Sequence, residues 1–254
     1  VKHKFDYKGA LDNWTTFSDG ISIAVNTSED NTYEVLDEYA KEKGYPVSLI
    51  RTEFLTEDPF MYGKIENAAL QNCDGSLLIQ VNLDERFRCD RNVLYNLGDK
   101  LISNPNIGAY FVPVINLYGS IDKYLDIGYK WRIHKEGYFR GPVNFGIKSN
   151  GRPDYNLTSS DELLTRDGNL APTTKLLDNL SIESVRDYVG RGMPMAYHLG
   201  FLNLQDRLER SIWWKKFWES ATMGDENRHA TTIEELANRE TKEHKLPLWS
   251  EVSN

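Results

Sequence analysis

The sequence predicts an α/β fold, a mainly parallel sheet with flanking helices, as one domain followed by C-terminal helices. Three observations predict it. Over the first hundred residues, short β-rich apolar runs alternate with segments of helical periodicity, in the order strand, helix, strand, helix, strand. Turn and cap residues punctuate that alternation. The 254 residues, 40% hydrophobic and 27% charged, suffice for one large core.

Taken in order, "GISIAVNTSEDNT" opens with an apolar run, Ile21 to Val25, that breaks into loop and cap residues from Asn26 to Asp30. "TYEVLDEYAKEKG" follows with Val35, Leu36 and Tyr39 at helical spacing and Gly44 placed to end the helix. "YPVSLIRTEF" is a second strand, and "MYGKIENAALQNCDG" a second amphipathic helix ending at Gly75. The run Ser76 to Val81 is a third strand, and it drives straight into the polar cluster Asn82-Leu83-Asp84-Glu85-Arg86. "RNVLYNLGDKLISNPNIGAYFVPVINLYG" reads as a helix, a turn at Asn104-Pro105 and a strand. Residues 120–153, rich in Tyr, Trp, Gly, Arg and Lys, read as short strands and loops. "LTSSDELLTRDG" has the look of a capped helix start, and "NLQDRLERSIWWKKFWES" of a long helix with Leu204, Leu208, Ile212 and Phe217 near one face. The charged stretch after Gly224 contains a capping box, Thr232 with Glu235, at the start of a surface helix.

In a parallel α/β sheet, ligands bind beyond the carboxyl ends of the strands. Both polar bursts, Asn26 to Asp30 and Asn82 to Arg86, fall at such ends, so two separate segments aim polar groups at one edge.

The formal net charge of −8 argues against a protein whose main partner is the nucleic-acid backbone. Cys73 and Cys89, the two cysteines, form neither a metal-ligand pattern nor a disulfide framework, which fits a reduced, intracellular setting. No apolar run reaches the ~18 residues needed to cross a bilayer, and "VKHKFDYKGALDNW" lacks a signal-peptide core. The expectation is a cytoplasmic protein with no membrane span. Neither G-x-S-x-G nor a Walker-type G-x-x-x-x-G-K-[ST] occurs, which disfavours an α/β hydrolase or a P-loop phosphotransfer enzyme.

The order of these parts resembles the GT-A glycosyltransferases, family 2 in particular, over roughly residues 20–220. "VNTSEDNTYEVLDEYA" is similar to that family's strand with an acidic, small-residue loop, and "GKIENAALQNCDG" to the helix that precedes its central strand. "QVNLDERF" is similar to the strand ending in D-x-D or D-A-D-E, and "YHLGFLNLQDRLERSIWWKKFW" to an H-x-G element followed by a basic helix. Two positions depart from the pattern: Asn82 stands for the first Asp of D-x-D, and Asn26 for the Asp that faces the base.

The resemblance implies a GT-A-like domain over 1–224, with a nucleotide-binding half to about residue 118, an acceptor half over 119–224, and a charged helical tail over 225–254. It implies a transfer of sugar from a nucleoside-diphosphate sugar, UDP-linked by preference, to a glycan or other hydroxylated acceptor, with Mn²⁺ or Mg²⁺ as cofactor. Such a cation takes hard oxygen ligands and neutralises the departing diphosphate. Asp84 and His198 are the implied metal ligands. Asn26, Thr27, Ser28, Lys64, Asn82 and Arg207 would hold the nucleotide and its phosphates, alongside Arg210, Lys215 and Lys216. Asp161 or Glu162 would be the base of an inverting displacement. Glu85, Trp131, Arg132 and His134 would contact the sugar or acceptor.

For each position there is a plainer reading. Asp84 and Glu85 are an ordinary strand-end loop, His198 a structural histidine, the basic helix a solvated face, and Asp161 and Glu162 an acidic helix start favoured by the dipole. Two other functions also fit this pattern. One is a GT-A-shaped protein that binds nucleotide without turnover; the other is a phage-type DNA-base glycosyltransferase, which the acidic charge disfavours.

Overall fold

The computed structural model describes residues 6–26, 31–53, 61–136, 139–140, 146–147, 153–154, 163–164, 171–220 and 232–248. The elements run α1 (Tyr7–Trp14), β1 (Ile21–Asn26), α2 (Thr32–Lys43), β2 (Val47–Thr52), α3 (Met61–Gln71), β3 (Leu77–Ile79), β4 (Glu85–Arg88) and α4 (Arg91–Ser103). The long strands β5 (Ala109–Tyr118) and β6 (Ser120–Lys135) follow. Four two-residue strands come next: β7 (Phe139–Arg140), β8 (Gly146–Ile147), β9 (Pro153–Asp154) and β10 (Leu163–Leu164). The chain continues with β11 (Thr173–Lys175), α5 (Ile182–Gly190), β12 (Met195–Phe201), α6 (Leu204–Ser220), α7 (Ile233–Ala237) and β13 (Lys242–Glu243).

The α/β class and the early strand–helix alternation hold, but the mainly parallel sheet does not. Only β1 and β2 form the expected parallel pair, in register from Ile21 against Val47 to Asn26 against Thr52. The main sheet has seven strands in the order β13-β6-β5-β12-β4, with β11 added on β5 and β3 on β6. Its β5–β6, β12–β4, β3–β6 and β13–β6 pairings are antiparallel; β12–β5 and β11–β5 are parallel. The physical reason is the hairpin at Gly119, which turns back at φ 69° and brings Ser120 opposite Tyr118. A tight turn joins antiparallel neighbours, whereas parallel neighbours need a crossover.

Residues 120–135 thus form one 16-residue strand rather than short strands and loops. Leu163 and Leu164, expected in a helix start, pair instead with Arg140 and Phe139 as antiparallel strand.

Helix ends follow local chemistry. Gly44 closes α2 in the left-handed region at φ 66°, as its position predicts. Asp90 caps α4 through bonds from the Asn92 and Val93 amides, and Asp6 caps α1 through Gly9. Strand β5 is buried on both faces. On one side Val112 and Val114 pack with Phe87, Leu94, Leu97 and Leu101 under α4. On the other, Ile115 and Leu117 pack with Val185, Tyr188 and Val189 of α5. A third cluster joins α1, β1 and α2 through Leu11, Trp14, Val25 and Leu36.

In the C-terminal segment the expected capping box of Thr232 with Glu235 starts α7, whose residues are exposed but for Leu236. Leu236 and Leu246 are buried, and β13 pairs with β6. Tyr118 donates to the Leu236 carbonyl at 2.7 Å, and Arg88 to that of Leu248 at 2.6 Å. No helix among the described residues is long and apolar enough to cross a membrane.

Candidate functional site

The strand that runs into the acidic cluster is short. It ends at Ile79, the chain turns through Asn82 to Asp84, and Glu85 already belongs to β4. Two bonds close the turn: the Glu85 amide donates to the Asn82 carbonyl at 2.8 Å, and the Asn82 amide to Glu85 Oε2 at 3.1 Å. The buried Arg86 guanidinium braces it by donating to the carbonyls of Leu83, Glu85 and Asp6 and to the Asp6 carboxylate.

Strand β4 lies antiparallel to β12 with Glu85 opposite His198. The ladder continues one step further, where the Leu199 amide donates to the Asp84 carbonyl at 2.7 Å. This pairing carries Asp84 to His198 although the two are 114 residues apart: His198 Nε2 lies 3.2 Å from Asp84 Oδ2. Arg210, from α6, donates to the same oxygen at 3.3 Å.

Gly200 makes that approach feasible. A Cβ there would stand 2.8 Å from Asp84 Oδ2, 2.8 Å from His198 Nε2 and 3.0 Å from Arg210 Nη1. Any side chain at this position would press on all three groups, so the H-x-G spacing has a steric cause.

Burial pushes the Asp84 carboxyl up, but the hydrogen bond and charge of His198 and the charge of Arg210 outweigh it and hold the pKa below the ordinary carboxylate range. Asp84 is therefore a buried anion kept ionised. The other side of His198 is also set. Asn116 Nδ2 donates to Asp126, which accepts only, so Asn116 Oδ1 must face His198 Nδ1, at 2.9 Å. Assigned from this network, Nδ1–H donates to Asn116, and the ionised Asp84 carboxylate, which only accepts, takes its hydrogen bond from Nε2–H.

Asp84 and His198 also suit a divalent cation. Two neighbouring ligands of an octahedral ion with bonds of ~2.1 Å stand about 3 Å apart, and the Oδ2–Nε2 separation is 3.2 Å. Among the described residues no group of three or more His, Cys, Asp or Glu converges on one point. Among the described residues a cation here would have two protein ligands, with phosphate and water able to supply further oxygens, the usual manner of Mg²⁺.

No family model and no curated protein matches the chain.

Asp84, His198 and Arg210 are among the residues that line a cleft of about 1250 Å³ whose walls include β1, β3, α3 and α4. Asn26 and Asn82 line it as well, and Asn26 Oδ1 accepts from Thr52 at 2.8 Å. Lys64 is exposed on α3 and is not part of that lining. Arg207 lies on α6 with its guanidinium 4.3 Å from the centre of the Phe201 ring, and Phe201 presses edge-on against His198. Thr27, Ser28, Asp161 and Glu162 lie outside the described residues, as does the side chain of Trp131.

Three residues expected to contact the sugar or acceptor are buried. Glu85 and Arg132 form a buried ion pair at 2.7 Å, and neither has more than 5% of its side chain exposed. His134 is fully buried in β6, opposite Leu78 and Ala109, where burial lowers its pKa to about 4. In this structure the three side chains present almost no surface to an acceptor.

Sequence reasoning missed Asn116, Asp126 and Phe201. Only Asn116 left a signal: a lone amide inside the apolar run "VPVINLY" needs a partner.

Proposed function

We propose that the protein is a divalent-metal-dependent glycosyltransferase of GT-A type that moves a sugar from a nucleoside diphosphate, UDP by preference, to a hydroxyl acceptor. One observation carries the reading. The two motifs that the resemblance pairs, the strand-end acid and the H-x-G element with its basic helix, meet at Asp84, His198 and Arg210. An accidental strand-end loop has no reason to meet a histidine and an arginine 114 and 126 residues away in the lining of a cleft. The parallel β1–β2 pair with α2 and α3 supports a nucleotide-binding half of that type.

In this reading Asp84 and His198 hold Mn²⁺ or Mg²⁺, which supplies charge neutralisation for the leaving diphosphate. Arg207 and Arg210 contact phosphate oxygens. Asn26 and Asn82, with Thr27, Ser28 and Lys64, serve the nucleoside end. Asp161 or Glu162 takes the acceptor proton. Trp131 is the acceptor-side candidate left once Glu85, Arg132 and His134 are assigned to the sheet.

A second reading has its own observation. Arg210 already donates to the Asp84 oxygen a cation would use, and Asn82 supplies no charge. A protein that holds a nucleotide without turnover is consistent with both.

Hydrolysis of a panel of UDP-sugars separates the two. The enzyme reading expects UDP release that requires Mn²⁺ and falls about 100-fold or more in Asp84→Ala. Binding of UDP-sugar by the wild-type protein without release or transfer would favour the non-catalytic reading.

A further inference from the structure

We infer that Asn116 and Asp126 are a positioning pair that fixes the ring of His198, so that Nε2 rather than a ring carbon faces Asp84. The inference deepens the reading of Asp84 and His198 as the metal end of a donor site and rests on it.

The need for such a pair follows from the shape of imidazole. Half a turn about the Cβ–Cγ bond exchanges Nδ1 with Cδ2 and Nε2 with Cε1 at almost no change in volume. Packing, such as the edge-on contact of Phe201 at 4.9 Å between ring centres, therefore does not choose between the two settings. Hydrogen bonds do. In the setting observed, Nε2 lies 3.2 Å from Asp84 Oδ2 and Nδ1 lies 2.9 Å from Asn116 Oδ1. Turned over, both oxygens would meet C–H groups. The two bonds have different fates. A cation at this point would take the same Asp84 oxygen and the same Nε2, so the bond to Asp84 ends when metal binds. The bond to Asn116 is the one that stays and aims the nitrogen.

Asn116 has the same ambiguity one step back. Its amide oxygen and nitrogen are nearly equal in size, and a flipped amide would set N–H groups against Nδ1–H. Asp126 decides between them: its carboxylate only accepts, so it holds Nδ2 and leaves Oδ1 for His198. The sheet supplies the alignment. Asn116 stands directly opposite Asp126 across β5–β6 and directly opposite His198 across β12–β5, which puts the three side chains in one row on one face. Both ladders shift register just beyond this row, between Asn116 and Leu117 in one and between His198 and Phe201 in the other. Asp126 is exposed, where water would serve its carboxylate as well as an amide does. What its place in the row adds is the orientation of Asn116.

Two readouts test the pair. In metal-free protein, proton NMR follows the Nδ1–H resonance of His198, identified by its absence in His198→Ala. In the presence of UDP, EPR of Mn²⁺ gives the metal affinity. Wild-type protein is expected to show the resonance. Asn116→Leu, of nearly the same shape, should lose it and weaken Mn²⁺ binding roughly tenfold or more. Asp126→Ala, at an exposed position that does not put the fold at risk, should weaken binding by a smaller factor. Exchanging the two residues, Asn116→Asp with Asp126→Asn, still offers Nδ1–H a carboxylate oxygen and should restore both resonance and affinity. An asparagine that only satisfied the sheet would change stability in urea and leave both readouts alone. A swapped variant no better than Asn116→Leu would overturn the inference. If Mn²⁺ binding with UDP needs Asp84 and His198 but not Asn116, the donor site stands and the inference falls. If wild-type protein binds no Mn²⁺ with UDP while the resonance still depends on Asn116, the ring is held as inferred and the donor reading falls.

Discussion

The Leu199 amide donates to the Asp84 carbonyl at 2.7 Å, extending the β4–β12 ladder by one step beyond Glu85 and His198. Asp84 itself precedes β4, and that bond holds it beside the end of β12, where its side chain reaches His198.

Gly200 is the position most sensitive to added volume. Gly200→Ala puts a methyl group within 3.0 Å of Asp84, His198 and Arg210. The expected outcome is a loss of about 1–3 kcal/mol in urea unfolding, typical of overpacking, together with loss of any ligand affinity that depends on Asp84. An alanine variant with wild-type stability and binding would show that the three groups have room to give.

The Glu85–Arg132 pair should behave as a structural ion pair. Arg132→Met leaves a carboxylate buried without its partner and is expected to cost about 3–5 kcal/mol. The double variant Glu85→Gln with Arg132→Met should recover much of that loss. Denaturant melts of the two singles and the double give the coupling; additive losses would refute the pairing.

Acid should destabilise the protein in two separate windows. His134 titrates near 6.5 when unfolded and about 4 when folded, so the unfolded state takes up its proton first. Stability therefore falls between those values, by up to about 3 kcal/mol. The Asp84 carboxyl is depressed in the fold, so its contribution is present above its unfolded pKa, near 3.8, and is lost only below it. His134→Gln should flatten the upper limb, and Asp84→Asn only the lower. A wild-type profile flat from pH 6.5 to 4 would contradict the burial of His134.

In the first hundred residues β1, α2, β2, α3, β3 and α4 were legible because their apolar periodicities are local, whereas α1 was not expected. The pairing of β4 with β12 was not: "ERFR" reads as loop, and its strand character comes from a partner more than 100 residues away. The antiparallel β6 was hidden for a similar reason, since its many Tyr, Arg and Lys residues mask a strand held by neighbours on both sides. At the site, Asp84 and His198 could be named from motif order, while the tight contact at Gly200 needed coordinates. Asp126, on the exposed end of a hydrogen-bond chain, left no trace in composition. The capped surface helix of the C-terminal segment was legible from Thr232 and Glu235, but the burial of Leu236 and Leu246, both diluted by charge in the sequence, was not.

The central claim is that Asp84 and His198 form the metal-assisted phosphate end of a nucleotide site. A thermal-shift titration with UDP, with and without Mn²⁺, tests it most directly, since a ligand that binds only the folded state raises the melting temperature by mass action. The account predicts a shift that requires Mn²⁺ and disappears in both Asp84→Ala and His198→Ala. No shift with UDP or any other nucleoside diphosphate, or a shift unchanged in Asp84→Ala, would contradict it.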